Sequence, residues 1–430
     1  MFCYDNGFEC ENCGKTIGGG LYDFKESVDL MKQQGWISRS YKGEYINFCC
    51  KDCLVQYRNK MEKENLTELN LVHNQDGLRI YENDKVKIAR SKDYNYNFDK
   101  ENGEFIRWGK TLEEDPKMCP WGMEIADIEL VAGGQCSGCK QKYCYKRNYE
   151  DTPIRNMGLE NFKKIFSKLP KTVNTIAFGI TDISKTQDFF EIMQYTRDNG
   201  VIPTYTTSGA DMTPEYAQKT AKLCGAVAVS VHNKEVAYNA VKMLGEAGQK
   251  QINFHVVVFD GVADRVLSII DDIKTDERLK YINALVLLRY KPKNTTAEIY
   301  KQMSKQDYKK IFKYAQDKGV ALGMDSCNAP MYLDIIKNEP DYEYKSMFVD
   351  CCESSCFSWY INCEGQAYSC SFCEGECNGC IDWTQGINMY DIQDFTKDVW
   401  NNPKTVNFRN VLLKGGRHCP MYNLEVSDEN

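Results

Sequence analysis

The sequence has no long apolar run. Its best stretch, Ala284–Leu288, falls far short of the roughly 18 residues that a membrane-spanning helix needs, so no span is expected. It also has no basic excess. Lys and Arg number 54 against 61 Asp and Glu, a net charge of −7, which excludes a general nucleic-acid coat and leaves only local nucleic-acid contact. The opening Met1-Phe2-Cys3-Tyr4-Asp5 has no basic region followed by an apolar core, so no secretory signal is read and a cytoplasmic location is expected. Disorder on a large scale is excluded too, because 42% of residues are hydrophobic and 27% charged, an ordinary globular balance. The 430 residues suggest two or three domains at roughly 150 residues each.

What the chain has in abundance is cysteine, 21 residues. An odd count without a signal peptide is poor material for a disulfide framework. Most fall in three bursts, Cys3–Cys53, Cys136–Cys144 and Cys351–Cys380. Spacing of two to four residues brings thiolates within reach of one metal centre, whereas core cysteines would scatter among strand residues.

The first burst holds Cys10-Glu11-Asn12-Cys13 and Phe48-Cys49-Cys50-Lys51-Asp52-Cys53. Two knuckles closing on one ion are a tetrahedral zinc pattern, and a segment this small needs such a staple. The expected ligands of this structural Zn2+ are Cys10, Cys13, Cys50 and Cys53, with Cys49 the competitor for Cys50. A turn is expected at Gly18-Gly19-Gly20, a hairpin strand over Gly43–Phe48 and a helix from Asp52 to Lys63. Residues 1–65 are therefore read as a zinc-binding module and 66–123 as a β-rich connector.

From residue 124 a rhythm begins. Apolar, β-branched runs at Ile125–Val131, Val173–Phe178, Val201–Tyr205, Ala226–Val231, Ile252–Phe259, Ile282–Leu288 and Val320–Met324 alternate with helix-period segments. Strand–helix alternation means parallel βαβ units. The fold class is α/β, a partial (β/α) barrel over 124–330, with a doubly wound open sheet as the alternative. In barrels the chemistry sits on the loops that follow the strands.

The loop after the first strand reads Gly133-Gly134-Gln135-Cys136-Ser137-Gly138-Cys139-Lys140-Gln141-Lys142-Tyr143-Cys144-Tyr145-Lys146. Three thiols with no interleaved His, Asp or Glu suit a 4Fe–4S cluster with one open iron; a zinc knuckle or a passive electron-transfer cluster is the alternative. These residues resemble the radical S-adenosylmethionine (radical SAM) enzymes. Later loops agree, with Gly179-Ile180-Thr181-Asp182 after the second strand, Thr206-Thr207-Ser208-Gly209 after the third and Ser230-Val231-His232-Asn233 after the fourth. Two features depart from that family's pattern. The cysteines stand as CxxCxxxxC rather than CxxxCxxC, and the usual Gly-Gly-Glu is reduced to Gly179 and Asp182. The resemblance implies a 4Fe–4S cluster on Cys136, Cys139 and Cys144, and S-adenosylmethionine contacts at Gly179, Asp182, Ser208 and Ser230. Arg289, ending the sixth strand, is a further candidate to pair with a carboxylate of SAM or substrate. His232 is read as a local histidine or an adenine contact.

Residues 331–430 resemble the C-terminal extension called SPASM, or twitch in its shorter form, through Gly365-x4-Cys370 and the Trp400–Arg409 segment before Cys419. The resemblance implies an auxiliary iron–sulfur cluster, with Cys352, Cys356, Cys370 and Cys419 as ligands and Cys327 on the barrel side. Cys373, Cys377 and Cys380 are read as a second site. The whole implies an enzyme that cleaves SAM reductively to a 5′-deoxyadenosyl radical and takes hydrogen from a peptide or protein, using a one-electron reductant. The alternatives are nucleoside or nucleic-acid modification, helped by the basic cluster Lys140, Lys142, Lys146 and Arg147, and a non-catalytic iron–sulfur or zinc scaffold.

Overall fold

Seven of the β-branched runs become seven parallel strands. In a computed structural model, which describes residues 7–10, 12–18, 30–31, 33–41, 44–50, 52–53, 56, 69–112, 114–137, 139, 141–146, 152–293 and 298–426, these are β1 (Ile125–Glu129), β2 (Thr175–Gly179), β3 (Ile202–Thr207), β4 (Ala226–Ser230), β5 (Ile252–Val258), β6 (Ala284–Arg289) and β7 (Leu322–Met324). Between them lie α1 (Leu159–Phe166), α2 (Phe189–Asp198), α3 (Pro214–Leu223), α4 (Lys234–Glu246), α5 (Ala263–Thr275) and α6 (Lys305–Lys318). Most of the expected helix over Asp52–Lys63, most of the glycine turn, and Lys140 and Arg147 of the basic cluster lie outside the described residues.

Local chemistry sets the helix ends. Thr213, Asn233 and Ser304 accept from the backbone N–H three residues on, the usual N-cap arrangement. Gly319 closes α6 at φ 63°, a left-handed conformation that glycine adopts without a Cβ clash.

Strand order runs β7-β6-β5-β4-β3-β2-β1, each strand beside its sequence neighbour. A doubly wound sheet would reverse direction partway; this order is that of a barrel segment. The sheet continues past β1 through β8 (Ser358–Ile361), parallel to it, then β9 (Gln366–Tyr368) and β10 (Ile387–Asn388), both antiparallel to their predecessors. The C-terminal segment thus extends the barrel sheet.

Register divides the strand residues into two faces. Phe178, Tyr205 and Phe254 lie under the helices, against Phe162, Phe189 and Tyr238 at 5.6, 5.2 and 5.6 Å between ring centres. Each fully buried side chain of this kind contributes about 1.5–3 kcal/mol. The alternate set faces the concave side and is level across the sheet: Asp127 with Ala177 and Thr204, Gly179 with Thr206 and Ala228, Ser230 with His255 and Val286. Small and polar side chains dominate there, where a closed barrel would be filled by bulky Val, Ile and Leu.

The chain divides into two compact units, Met1–Val72 with Tyr81–Asn83, and His73–Ile80 with Asp84–Asn430. In the smaller unit, Gly7–Glu9 pairs with Thr16–Gly18 and Ile37–Tyr41 with Glu44–Phe48, around Phe8, Cys10, Met31, Trp36, Phe48 and Cys53. In the larger unit, strands Val86–Arg90, Asn95–Asp99 and Phe105–Trp108 form an antiparallel meander. It is anchored to the start of β1 by Arg107, 2.9 Å from the buried Glu124 carboxylate.

Candidate active site

The loop after β1 stands at the C-terminal mouth of the lumen. Cys136, Cys139 and Cys144 are each partly exposed, and Cys139 and Cys144 are near enough to repel one another as thiolates. Burial first, then Cys144, pushes the Cys139 thiol up to about 11. Such a thiol is released to thiolate by a cation, as metal ligands are. The donor set fits an iron–sulfur cluster, being all sulfur with no carboxylate or imidazole among its members.

The β2 loop follows alongside. Gly179 ends β2 on the lumen face, and a Cβ there would stand 3.4 Å from the Glu129 backbone. Thr181 is buried and its hydroxyl has no partner among the described residues, so an acceptor or donor from a bound molecule would satisfy it. Asp182, expected as a SAM contact, is fully buried and engaged elsewhere. Its carboxylate accepts from the Ser137 N–H at 3.1 and 3.2 Å and from the Ser137 hydroxyl at 2.9 Å, and lies 2.7 Å from Lys185 Nζ.

The remaining expected contacts divide by strand parity. Ser230 lies on the lumen face beside His255. The Ser208 hydroxyl accepts from the Ala210 N–H at 3.3 Å, a turn role. Arg289 pairs in register with Val258, on the face away from the lumen, because side chains alternate along a strand. It is buried, donates to Gln302 Oε1 at 3.1 Å and to the Leu424 carbonyl, and lines a cavity of about 500 Å³ with Cys327, Cys419 and the C-terminal segment. Arg289 therefore secures the C-terminal segment and is turned away from the expected carboxylate.

His232 follows β4, with Tyr143 Oη 3.4 Å from its Nδ1. Burial and then Arg265 depress it to about 4, so it is neutral. Tyr143 belongs to an aromatic wall with Phe259 and Tyr300, at ring separations of 5.3 and 5.7 Å, and Tyr290 joins Tyr300 at 5.6 Å. Flat apolar faces of this kind exclude water and suit a stacked ring.

Lys146, read from the sequence as part of a basic loop, is instead the hub of a buried network. It lies 3.0 Å from Glu129 Oε1 and 2.5 Å from Tyr360 Oη, and pairs with Glu374. Burial, the largest single influence, opposes its charge, but Glu129, Tyr145 and Glu374 together outweigh it and its pKa is raised. Asn362 donates to Glu374 at 2.7 Å. Sequence reasoning does not single out Asp127, Glu129 or Glu374. Counting in twos along β1 would have found the first two, as acids on the inward face of a buried strand.

The C-terminal thiols gather behind this network. Cys370 Sγ and Cys373 Sγ are 3.3 Å apart. The Cys373 contact, against the opposing effect of burial, holds the Cys370 thiol at about 7. Cys352 interacts electrostatically with Cys370 and Cys419, and Cys327 with Cys352 and Cys419. Lys291, paired with Asp325, stands beside Cys327. Cys370 and Cys373 are thus in contact, with Cys327, Cys352 and Cys419 near enough to interact with them or with one another by charge. Cys356, an expected ligand, is buried beside Arg409 and Arg417, while its carbonyl accepts from the Cys119 N–H at 2.9 Å. The Cys352–Cys356 stretch turns into β8, which carries Cys356 into the core. Cys373 joins the thiols in its place. Cys377 and Cys380, which the sequence grouped with it, are exposed on a hairpin.

In the smaller unit, ligand atoms of Cys10, Cys13, Cys49 and Cys53 all lie within 4.8 Å of one another. Cys49 Sγ is 3.6 Å from Cys13 Sγ and 3.5 Å from Cys53 Sγ. A tetrahedral zinc with Zn–S near 2.3 Å separates its sulfurs by about 3.8 Å, so the spacing fits. Burial works against the Cys10 thiolate, yet N–H groups led by that of Cys49 bring its thiol down to about 7. The set differs from the expected one at a single position. Cys50 is exposed and its sulfur accepts from the Cys53 N–H at 3.5 Å, while its neighbour Cys49 points to the other thiols.

Taken together, these features define a partial barrel of parallel strands with a thiol-bearing loop at the mouth and a thiol-rich extension at its edge. No protein-family profile matches the sequence, and no curated protein matches it. Solved structures do. SuiB of Streptococcus suis bound to S-adenosylmethionine superposes with a TM-score of 0.51 at 14% identity, over 67% of this chain and 68% of that one. SuiB bound to the precursor peptide SuiA gives 0.56 at 13% identity, over 76% and 90%. Both superpositions show that this chain shares the fold of SuiB. Among the described residues, no helix is long and apolar enough to cross a membrane.

Proposed function

We propose that the protein is a radical SAM enzyme that oxidatively modifies a peptide or protein. The observation that carries this reading is the position of Cys136, Cys139 and Cys144 on the loop that follows β1, at the mouth of a polar lumen. These thiolates would hold a 4Fe–4S cluster that binds SAM. When bound, the cluster and SAM supply a 5′-deoxyadenosyl radical that takes a hydrogen atom from an unactivated position. The chain's own residues orient and protect. Gly179 leaves space at the end of β2, the Thr181 hydroxyl offers an unused hydrogen bond, and Ser230 stands on the lumen face. The wall of Tyr143, Phe259, Tyr290 and Tyr300 keeps water from the reacting atoms.

In the same reading Cys352, Cys370, Cys373 and Cys419, with Cys327 beside them, would hold an auxiliary iron–sulfur cluster, which would be reduced by the electron left on the substrate radical as the substrate is oxidised. Cys10, Cys13, Cys49 and Cys53 hold a structural Zn2+. The parts divide near 1–65, 66–123, 124–330 and 331–430, and a one-electron reductant completes the system. The complex of SuiB with the precursor peptide SuiA supports a peptide as the substrate class.

Anaerobic reconstitution followed by reduction in the presence of SAM tests the proposal. 5′-Deoxyadenosine is expected from the intact protein and from none of Cys136→Ala, Cys139→Ala and Cys144→Ala. Cys373→Ala is expected to lose the second complement of iron and Cys356→Ala to keep it. Zinc alone on the β1 loop, or no 5′-deoxyadenosine, ends the reading.

A further inference from the structure

Asp182 occupies the sequence position at which the resemblance offers a SAM contact, yet the structure turns its carboxylate toward the cysteine loop. It is fully buried. Both of its oxygens meet the Ser137 N–H, one also takes the Ser137 hydroxyl, and Lys185 Nζ neutralises it at 2.7 Å. Lys185 in turn donates to the Gln135 carbonyl and lies 3.4 Å from the Ser137 hydroxyl. The groups held on the loop therefore flank Cys136 on both sides, Gln135 before it and Ser137 after it. Asp182 is itself fixed, because Thr186 Oγ1 donates to its carbonyl at 2.8 Å.

We propose that Asp182, with Lys185, is a positioning residue that clasps the cysteine loop around Cys136 and sets it for cluster assembly. This inference rests on the radical SAM reading above. Charge-assisted bonds to a carboxylate are about twice as strong as neutral ones, and here they fix backbone on either side of a ligand. A loop with wide glycine-permitted freedom, containing Gly133 and Gly134 at φ 76° and 66°, otherwise loses much of its entropy when iron binds. The clasp removes part of that loss in advance. It also explains why a longer CxxCxxxxC loop can serve: one end is tied to the β2 loop.

The test compares Asp182→Ala, Asp182→Glu and Ser137→Ala with the wild type, using Cys136→Ala as the empty-loop reference. The readouts are loop iron per chain at limiting iron, the EPR spectrum of the reduced protein, and SAM affinity per loaded cluster. A fourth readout is exchange of the Ser137 amide in iron-free protein. Asp182→Ala is expected to lower loop iron at least threefold and to speed Ser137 exchange at least tenfold. SAM affinity per loaded cluster should stay within twofold, and Asp182→Glu should restore more than half of the iron. Ser137→Ala, which keeps the backbone bond, should show a smaller loss, and it replaces Asp182→Ala if that variant does not fold. Full iron loading with an unchanged spectrum and a tenfold loss of SAM affinity would overturn the clasp and make Asp182 a SAM contact. Unchanged Ser137 exchange would overturn it as well. If Cys136→Ala carries as much iron as the wild type, the radical SAM reading fails on its own, while Ser137 exchange still decides the clasp.

Discussion

The ring of Tyr145 is stacked on the ring of Phe372, with centroids 4.0 Å apart and planes at 30°. Tyr145 follows Cys144, and Phe372 lies between Cys370 and Cys373. One aromatic contact therefore joins the loop at the barrel mouth to the thiols of the C-terminal extension. Lys146 repeats the link in charge, meeting Glu129 of β1 and Glu374 of the extension.

That link makes Lys146 costly to lose. Lys146→Met leaves the buried Glu129 and the partly exposed Glu374 without their shared cation; for the buried carboxylate this kind of loss costs about 3–5 kcal/mol. The expected outcome is a lower denaturation midpoint, with faster amide exchange confined to 141–146 and 370–374. Lys146→Arg should recover part of the loss, since it keeps the charge with a different reach. A denaturation midpoint for Lys146→Met equal to that of the wild type would show that the network carries no load.

The N-terminal thiols give a prediction that turns on adjacent residues. Cys49→Ser is expected to remove zinc from the smaller unit, and Cys50→Ser to leave about one zinc per chain, because of these two neighbours it is Cys49 whose sulfur groups with those of Cys10, Cys13 and Cys53. A chelator should then unfold that unit, whose small core includes two of the proposed ligands, Cys10 and Cys53, as expected where metal binding supplies much of the folding free energy. Zinc counting on the two variants decides between them.

These cases mark where sequence stops being informative. The parallel strands were legible because strands buried on both faces read as near-continuous apolar runs, and each expected run contains or adjoins its strand. The Cys136–Cys144 loop was legible as a local motif. Cys49 and Cys50 are neighbours, and which one turns inward depends on how the second knuckle folds. That Cys373 lies against Cys370 while Cys356 turns into the core depends on how β8 and β9 fold, and spacing does not encode that. The face of Arg289 was not legible, because it follows from the register of Val286 with the lumen-facing His255, which the folded sheet sets. Lys146 and Glu374 are 228 positions apart, with no local signal linking them.

His255 supplies a prediction in pH. It lies on β5 within the lumen face, and burial depresses it to about 4, with Asp325 pulling weakly the other way. Unfolded, the same imidazole titrates near 6.5. Between those values the unfolded chain binds more protons than the folded one, so stability must fall as pH is lowered through that window. At about 1.4 kcal/mol per pKa unit, the loss from this residue approaches about 3 kcal/mol by pH 4. His255→Gln removes the titration while keeping a polar side chain in the lumen. The variant should match the wild type within about 1 kcal/mol at pH 7.5 and exceed it in denaturant midpoint at pH 5. Midpoints measured at both values check the sign: if the wild type gains stability relative to His255→Gln on acidification, the imidazole is charged in the fold and the lumen is wetter than its burial implies.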